Sequence, residues 1–221
     1  MSWIDLFCPD NSERRESLIR KNQELHVLMR NNFRATNQLI DVLKEHLGLS
    51  FSKITLNEKA TVKENCDKII ARIREIQAEV EKINQQLKQK LEPTLYEKLK
   101  NKSLSECDFQ PVLNVVRRLY HLAAISSAVA LVAWLISNVT MMTSITVTFG
   151  LIAIGVMGCV VFGVLCMGIG LILGNIVGKM ERDRLERALK EYDKALEEFR
   201  PASEKYQDSI TYVRISIQMM Q

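Results

Sequence analysis

The sequence lacks charge in its most apolar part. From Leu122 to Gly178, 57 consecutive residues include no Asp, Glu, Lys, Arg or His. Segments of this length that form the core of a water-soluble protein normally alternate apolar and charged residues. An uninterrupted apolar stretch is instead typical of a segment surrounded by lipid. The sequence therefore predicts a membrane region, and the charged residues on either side of it predict two polar arms.

The sequence also has few aromatic residues, 6% of the chain, and a net charge of only +4 from 30 basic and 26 acidic residues. Proteins that bind nucleic acid use a basic face or stripe, often with aromatic side chains on which bases stack. Basic and acidic residues are interspersed here, so we expect no nucleic-acid partner.

Signatures of catalysis are missing as well. The sequence has no GxSxG, P-loop, HExxH or paired-carboxylate pattern, and its three histidines have no partner at metal-ligand spacing. Its five cysteines form no CxxC pair, which favours free thiols in a reducing compartment. We therefore expect a protein that is not an enzyme and has no cofactor, metal or small-molecule substrate.

Glycine and proline are scarce in both polar arms, as long helices require. The first helix is predicted over 11–47. Asp10 and Glu13 give it a start that resembles a capping box, and Gly48 gives it a stop.

The second helix has the clearer start, because Thr61 and Glu64 form a capping box. Apolar residues then alternate at spacings of four and three, which predicts a coiled-coil seam. Pro93 ends or kinks this helix, and Pro111 is expected at the first position of the next one. The seam residues are Ile69, Ile73, Ile76, Val80, Ile83 and Leu87.

A third helix is predicted over 181–220 with the same alternation, and Pro201 is expected to kink it. Its seam residues are Leu185, Leu189, Tyr192, Leu196 and Phe199. Two interpretations fit both seams. Either the second and third helices zip together within one chain, or the seams pair with other chains, since a heptad pattern alone does not distinguish them.

Polar residues divide the charge-free stretch. A single helix of 57 residues would be about 86 Å long, nearly three times the ~30 Å hydrocarbon core. Ser, Thr and Asn cluster at 137–148, which leaves apolar segments at 119–136 and 149–177. Basic residues flank the stretch at both ends, so the positive-inside rule places both arms in the cytosol. The sequence predicts a transmembrane hairpin, with one crossing as the alternative, and does not identify the organelle.

Eight of the nine glycines lie in 149–178. Gly170, Gly174 and Gly178 recur every four residues, and such a ladder lets another helix approach closely within a membrane. The groove would receive either the first half of the hairpin or a second copy of the chain, unless the ladder only reflects the general frequency of glycine in membrane helices.

Several segments resemble a known family. They are 61–70 (TVKENCDKII), 90–99 (KLEPTLYEKL), 137–140 (SNVT) and 202–206 (ASEKY). In this order they are similar to the family of single-pass membrane and coiled-coil domain-containing protein 3, over nearly the whole chain. The resemblance implies a small coiled-coil membrane protein without established biochemical activity, and its name implies one crossing. It assigns no catalytic or ligand-binding residue.

Together these patterns predict an all-α protein with long coiled-coil-like arms flanking an apolar transmembrane hairpin. The expected divisions are an N-terminal arm (1–118), a membrane region (119–178) and a C-terminal helix (179–221). The expected function is that of a non-enzymatic membrane scaffold or adaptor. Its partners would be the lipid bilayer and, through the arms, a protein or a second copy. The alternative is a helical bundle that shelters the hairpin and inserts it into membranes on a trigger, as pore-forming proteins do.

Overall fold

The structure is a computed structural model that describes residues 10–120, 127–138, 141, 144–145 and 179–218. Within them lie six helices: α1 (Asp10–Leu47), α2 (Val62–Lys90), α3 (Pro93–Lys100), α4 (Glu106–Tyr120), α5 (residues 127–138) and α6 (Lys179–Gln218). No strand occurs in this described part of the chain. The predicted all-α class is confirmed.

The predicted end of α1 is confirmed. The helix spans Asp10–Leu47, and the residues before Asp10 lie outside the described part of the chain, so its predicted start stays a prediction. Gly48 then has a φ of 67°, a left-handed conformation that suits glycine because it has no Cβ. The Gly48 amide donates to the Lys44 carbonyl at 3.1 Å and closes the last turn.

A capping box starts α2, as predicted. The amide of Thr61 donates to Glu64 Oε2 at 2.8 Å, and the amide of Glu64 donates to Thr61 Oγ1 at 3.0 Å. Hydrogen bonding to the Thr61 amide, and to a lesser extent to its side chain, lowers the pKa of the Glu64 carboxyl below its ordinary value. Two amides that have no partner within the helix are thereby satisfied.

Pro93, Pro111 and Pro201 occupy different positions in their helices. α2 ends at Lys90 and α3 begins at Pro93, as predicted, because proline cannot donate to the preceding turn. The predicted helix start at Pro111 is wrong, since α4 already begins at Glu106. Pro201 lies inside α6, which continues on both sides of it, and a kink there stays a prediction.

Hydrogen bonds between Ser105 and Asp108 cap the start of α4 and explain its early beginning. Asp108 Oδ2 accepts hydrogen bonds from the Ser105 amide at 3.0 Å and from Ser105 Oγ at 2.5 Å. Lys98 Nζ donates to both carboxylate oxygens of Asp108 at 2.9 Å. A serine followed three residues later by an acidic residue is the capping pattern, so the start lies before Pro111.

Acid should weaken this cap. The bonds from Ser105 and from the Lys98 ammonium lower the pKa of Asp108 from its ordinary 3.8 to about 2. A carboxyl with a lowered folded-state pKa stabilises the fold fully above its unfolded pKa, and this contribution is lost as the pH falls through the folded value. Between about pH 4 and pH 2, the unfolding free energy of wild type should therefore fall more steeply than that of Asp108→Asn. Urea titrations at a series of pH values measure both, and parallel profiles would contradict the assignment.

Contacts divide the chain into two compact units, each assembled from three segments. The first unit consists of Met1–Phe33, Thr55–Ile70 and Val147–Lys205. The second consists of Arg34–Ile54, Ala71–Thr146 and Tyr206–Gln221. The long helices α1, α2 and α6 therefore each contribute to both units.

Each unit buries its own apolar side chains. Those of the first unit include Leu18, Leu25, Met29, Cys66, Ile69, Tyr192 and Phe199. Those of the second unit include Leu39, Leu43, Ile73, Ile76, Val116, Leu131, Val132, Tyr206 and Ile210. Burial of this apolar surface is the main favourable term in forming each unit.

The predicted transmembrane hairpin is not found in the described part of the chain. None of the helices there is both long and apolar enough to cross a bilayer. Within the predicted first crossing, 119–136, the described residues 128–136 are buried, apart from the half-buried Ala130. Protein covers these side chains, so they do not face lipid in this structure. The predicted second crossing, 149–177, lies outside the described residues.

Candidate functional site

The predicted seam residues are mostly buried within one chain. All six in α2 are buried: Ile69, Ile73, Ile76, Val80, Ile83 and Leu87. In α6, four are buried: Leu185, Tyr192, Leu196 and Phe199. The fifth, Leu189, is half-buried, and Ala188 beside it is fully buried. A single chain thus covers both apolar stripes without a second copy.

In the first unit, side chains of α1 bond to side chains of α6. Tyr192 Oη donates to Asn22 Oδ1 at 3.3 Å, and Asn32 Nδ2 donates to Ser203 Oγ at 2.9 Å. All four residues are buried. The order of these pairs along both helices shows that α1 and α6 run parallel.

Charged pairs flank the same contact in the first unit. Arg14 lies 3.1 Å from Glu186, and Lys21 bonds to Asp193. Such half-exposed pairs typically contribute about 0–1 kcal/mol each, so they fix the register of the two helices more than they stabilise them.

A similar buried bond joins α1 and α6 in the second unit. Thr36 Oγ1 and Tyr206 Oη lie 2.7 Å apart, and neither residue is exposed to solvent. Burial raises the pKa of the Tyr206 hydroxyl, which keeps it protonated and able to donate a hydrogen bond. Breaking a buried bond of this kind leaves an unsatisfied polar atom, which costs about 1–3 kcal/mol.

Sequence reasoning did not identify α1 as a partner of α6. In the sequence, Asn22, Asn32 and Thr36 only interrupt the apolar stripe of α1. Ser203 and Tyr206 are the matching polar positions in the α6 stripe. Buried polar atoms require hydrogen-bond partners. A polar residue that interrupts each of two apolar stripes therefore indicates that the two stripes pack together, and both pairs are separated by about 170 residues.

In the second unit, two hydrogen bonds tie α5 to other helices. Ser127 Oγ lies 3.1 Å from Nδ1 of the buried His46 at the end of α1. Ser137 Oγ donates to the Lys100 carbonyl at the end of α3, at 2.8 Å. Between these points α5 has apolar side chains, so residues 128–136 belong to the core of the second unit.

The second unit also contains a cavity of about 300 Å³. Val129, Ala133 and Trp134 of α5 line one side, and Leu104 and Phe109 also line it. Trp134 is buried, with 3% of its surface exposed. A cavity of this size, with mostly apolar walls, is typical of a small-ligand site.

The outer end of this cavity is polar. Lys102 and Tyr212 line it, and both are exposed to solvent. Lys102 Nζ lies 5.7 Å from the centroid of the Tyr212 ring, within the range of a cation–π interaction. In the described part of the chain, Lys102 is the one charged residue of the lining.

The position of Lys102 depends on how α3 ends. The Ser103 amide donates to the Lys98 carbonyl at 2.9 Å, and the Lys102 amide donates to the Leu99 carbonyl at 3.1 Å. These two bonds form a Schellman motif. Its left-handed position usually carries glycine, but here Lys102 occupies it with a φ of 55°.

The described residues offer no metal site or reactive thiol pair. No group of three or more His, Cys, Asp or Glu among them could hold a metal ion. Burial raises the pKa of the Cys66 thiol to about 12, so this thiol stays protonated at neutral pH. The predicted helix-packing glycines Gly170, Gly174 and Gly178 lie outside the described residues.

One family model matches the chain. It is described as a protein of unknown function (DUF4533), and the match covers residues 14–161, about two thirds of the sequence. This range includes most of α1 and all of α2 to α5, and therefore the whole cavity wall formed by α5. No solved structure matches the chain.

Proposed function

The chain belongs to the DUF4533 family, whose function is unknown, and from this premise we propose that it is a non-enzymatic, membrane-associated helical scaffold. Residues 149–177 contact the lipid, while α1 and α6 stay together on one side of the bilayer. The arms bind a protein partner or a second copy through their exposed faces.

The composition of 149–177 supports the lipid contact. This segment of 29 residues has no charged side chain, and about 20 apolar residues suffice to cross a bilayer. The resemblance to the single-pass coiled-coil family points to the same glycine-rich segment. All charged residues of the chain, 25% of the whole sequence, lie in the two arms, which suits the arms to water.

The pairing of α1 with α6 supports an arrangement with both arms on one side. The buried bonds Asn32–Ser203 and Thr36–Tyr206 join residues that precede and follow the charge-free stretch. A single crossing within that stretch would separate these partners by the thickness of the membrane, about 30 Å. An even number of crossings, or a segment that enters and leaves on the same side, keeps them together. The single crossing implied by the resemblance does not.

Protease protection tests this topology. The full chain carries a different epitope tag at each end and is expressed in cells, from which sealed membrane vesicles are prepared. We expect protease to remove both tags or neither, because both ends lie on the same side. A tag of known lumenal location on a second protein controls for sealed vesicles. Removal of one tag and protection of the other would mean an odd number of crossings and would overturn the proposal.

A second candidate is conditional insertion, and the burial of α5 favours it. Two complete crossings need about 40 apolar residues, more than 149–177 provides. Insertion of a full hairpin therefore requires 119–136 to leave the protein core. Residues 128–136 are covered by protein in this structure, as a sheltered first crossing would be before insertion.

Carbonate extraction separates the two candidates. A permanent scaffold pellets with the membranes under all conditions, because its lipid contact is always made. A conditional inserter leaves a soluble pool, which moves to the pellet after mild acidification or after heating. A known integral membrane protein and a known peripheral protein in the same sample calibrate the pellet and the supernatant.

A further inference from the structure

We propose that the cavity in the second unit binds a single acyl chain with an anionic head group, and that Lys102 pairs with this head group. The chain of the ligand occupies the apolar interior, between Leu104 and Phe109 and the α5 residues Val129 and Trp134. All these residues lie outside 149–177. The inference therefore does not depend on how, or whether, that segment crosses a membrane.

The walls select an aliphatic ligand. Four residues of α5 line the cavity along one face of the helix, as two pairs one turn apart: Val129 with Ala133, and Ala130 with Trp134. They expose methyl groups and an aromatic ring to the cavity, and few polar atoms. A volume of about 300 Å³ is at the lower end for ligand sites, which favours one chain over the two chains of a phospholipid.

The outer end selects a negative charge. Lys102 lines the cavity there beside the Tyr212 ring. Among the described residues, no carboxylate lies within 4.0 Å of its ammonium group. The lining described for the cavity includes no Asp or Glu. An ammonium group at the open end of an apolar cavity matches a carboxylate or phosphate on an aliphatic chain.

The backbone conformation of Lys102 is a second observation that supports the proposal. The left-handed position of a Schellman motif is usually glycine, because a Cβ there is strained. Lysine at this position is not favoured by the helix end itself. A strained residue at the edge of a cavity suggests a role for its side chain.

The carbonyl groups at the end of α3 do not compete for the lysine. Those of Glu97, Lys98 and Leu99 accept the amides of Asn101, Ser103 and Lys102. The carbonyl of Lys100 accepts from Ser137 Oγ. Each of the last four carbonyls of the helix thus has a hydrogen-bond donor other than the Lys102 ammonium.

Quenching of Trp134 fluorescence provides the test. The full chain carries Trp3→Phe, so that Trp134 is its one tryptophan, and it is held in phosphatidylcholine nanodiscs. The probes are 12-bromododecanoate and the cationic 12-bromododecyl-trimethylammonium, which have the same chain and a bromine that quenches on contact. We expect saturable quenching by the anionic probe, and at least tenfold weaker quenching by the cationic one.

Three substitutions identify the site. Lys102→Gly removes the charge at a position that suits glycine, so we expect about tenfold weaker binding of the anionic probe with an unchanged or higher melting temperature. Lys102→Glu should reverse the preference between the two probes. Ala130→Phe places a ring in the cavity and should abolish quenching, whereas Ala71→Phe, on an exposed alanine of α2, should not.

The length of the ligand's acyl chain provides a further test of the site. Each methylene removed from water should improve affinity about fourfold, so unlabelled decanoate should displace the probe about fifteen times less effectively than dodecanoate. Equal quenching in wild type, Lys102→Gly and Ala130→Phe would mean that the probe acts from the bilayer, and would overturn the proposal. An unchanged preference for the anionic over the cationic probe in Lys102→Glu would also overturn the proposal. This substitution lies at the surface, so we expect the variant to fold even if Ala130→Phe does not.

Discussion

A chain with Val160→Arg and Leu165→Arg should no longer bind membranes. Both residues lie within the segment 149–177, which we propose contacts lipid. Each arginine near the centre of a membrane helix costs about 2.5–3.5 kcal/mol. Together they oppose insertion by about 5–7 kcal/mol, which lowers the partition constant at least a thousandfold. Cell-free synthesis of the full chain with phosphatidylcholine vesicles, followed by flotation, measures the bound fraction.

A control is needed to show that two added positive charges do not by themselves prevent membrane binding. A matched control, Gln86→Arg with Gln89→Arg, adds the same two charges at exposed positions of α2 and should float like wild type. If the Val160→Arg, Leu165→Arg chain also floats like wild type, residues 149–177 do not enter the hydrocarbon. If only this variant stays at the bottom of the gradient, lipid contact through this segment is supported for both the scaffold and the conditional inserter.

Truncating Phe199 should strongly destabilise the fold. Phe199 has 1% of its surface exposed, in the α6 stripe of the first unit. Replacing a buried phenylalanine with alanine removes its apolar contacts and leaves a cavity, at a cost of about 3–5 kcal/mol. For a chain of this length, that corresponds to a decrease in melting temperature of roughly 6–20 °C. The helical circular dichroism signal of the full chain, followed on heating, measures it.

The same experiment distinguishes packing within one chain from packing between chains. Tyr212→Ala, on the same helix but at a residue that is 58% exposed, serves as the control and should change stability by less than about 1 kcal/mol. If the α6 stripe is covered within one chain, the melting temperature of wild type does not change with protein concentration. A melting temperature that rises with concentration would instead indicate that the stripe pairs with a second copy.

Local features of the fold could be predicted from the sequence because they depend on neighbouring residues. The capping box of Thr61 and Glu64, the stop at Gly48 and the break at Pro93 each involve atoms within a few residues of one another. The start of α4 was missed although its signal is local. Ser105 and Asp108 have the capping spacing, but Pro111 was given more weight.

Contacts between distant segments could not be predicted in the same way. The heptad stripe of α6 predicts which face of the helix is buried. It does not predict which other apolar stripe packs against that face. The bonds of Asn32 to Ser203 and of Thr36 to Tyr206 identify α1 as a partner. Hydropathy also failed for α5. An apolar stretch is compatible with lipid and with a protein core, and only the helices around it decide between them.

Predicting the cavity would require both local features and contacts between distant segments. Lys102, Trp134 and Tyr212 are far apart in the sequence, and no motif connects them. The conformation of Lys102 follows from the Schellman motif of α3, whose bonds are local. That motif was not predicted, because the residue at its left-handed position is not glycine.

The parallel pairing of α1 and α6 determines when the protein can finish folding. The bond between Asn32 and Ser203 joins residues 171 positions apart, and α6 is synthesised after the other helices described here. At about 5–20 residues per second, a ribosome needs roughly 10–35 s to make the chain between them. During that interval α1 has no α6 to pair with its buried Asn22, Asn32 and Thr36 side chains, and the charge-free stretch is synthesised before α6. Targeting factors and chaperones therefore meet the apolar stretch before the native bundle exists.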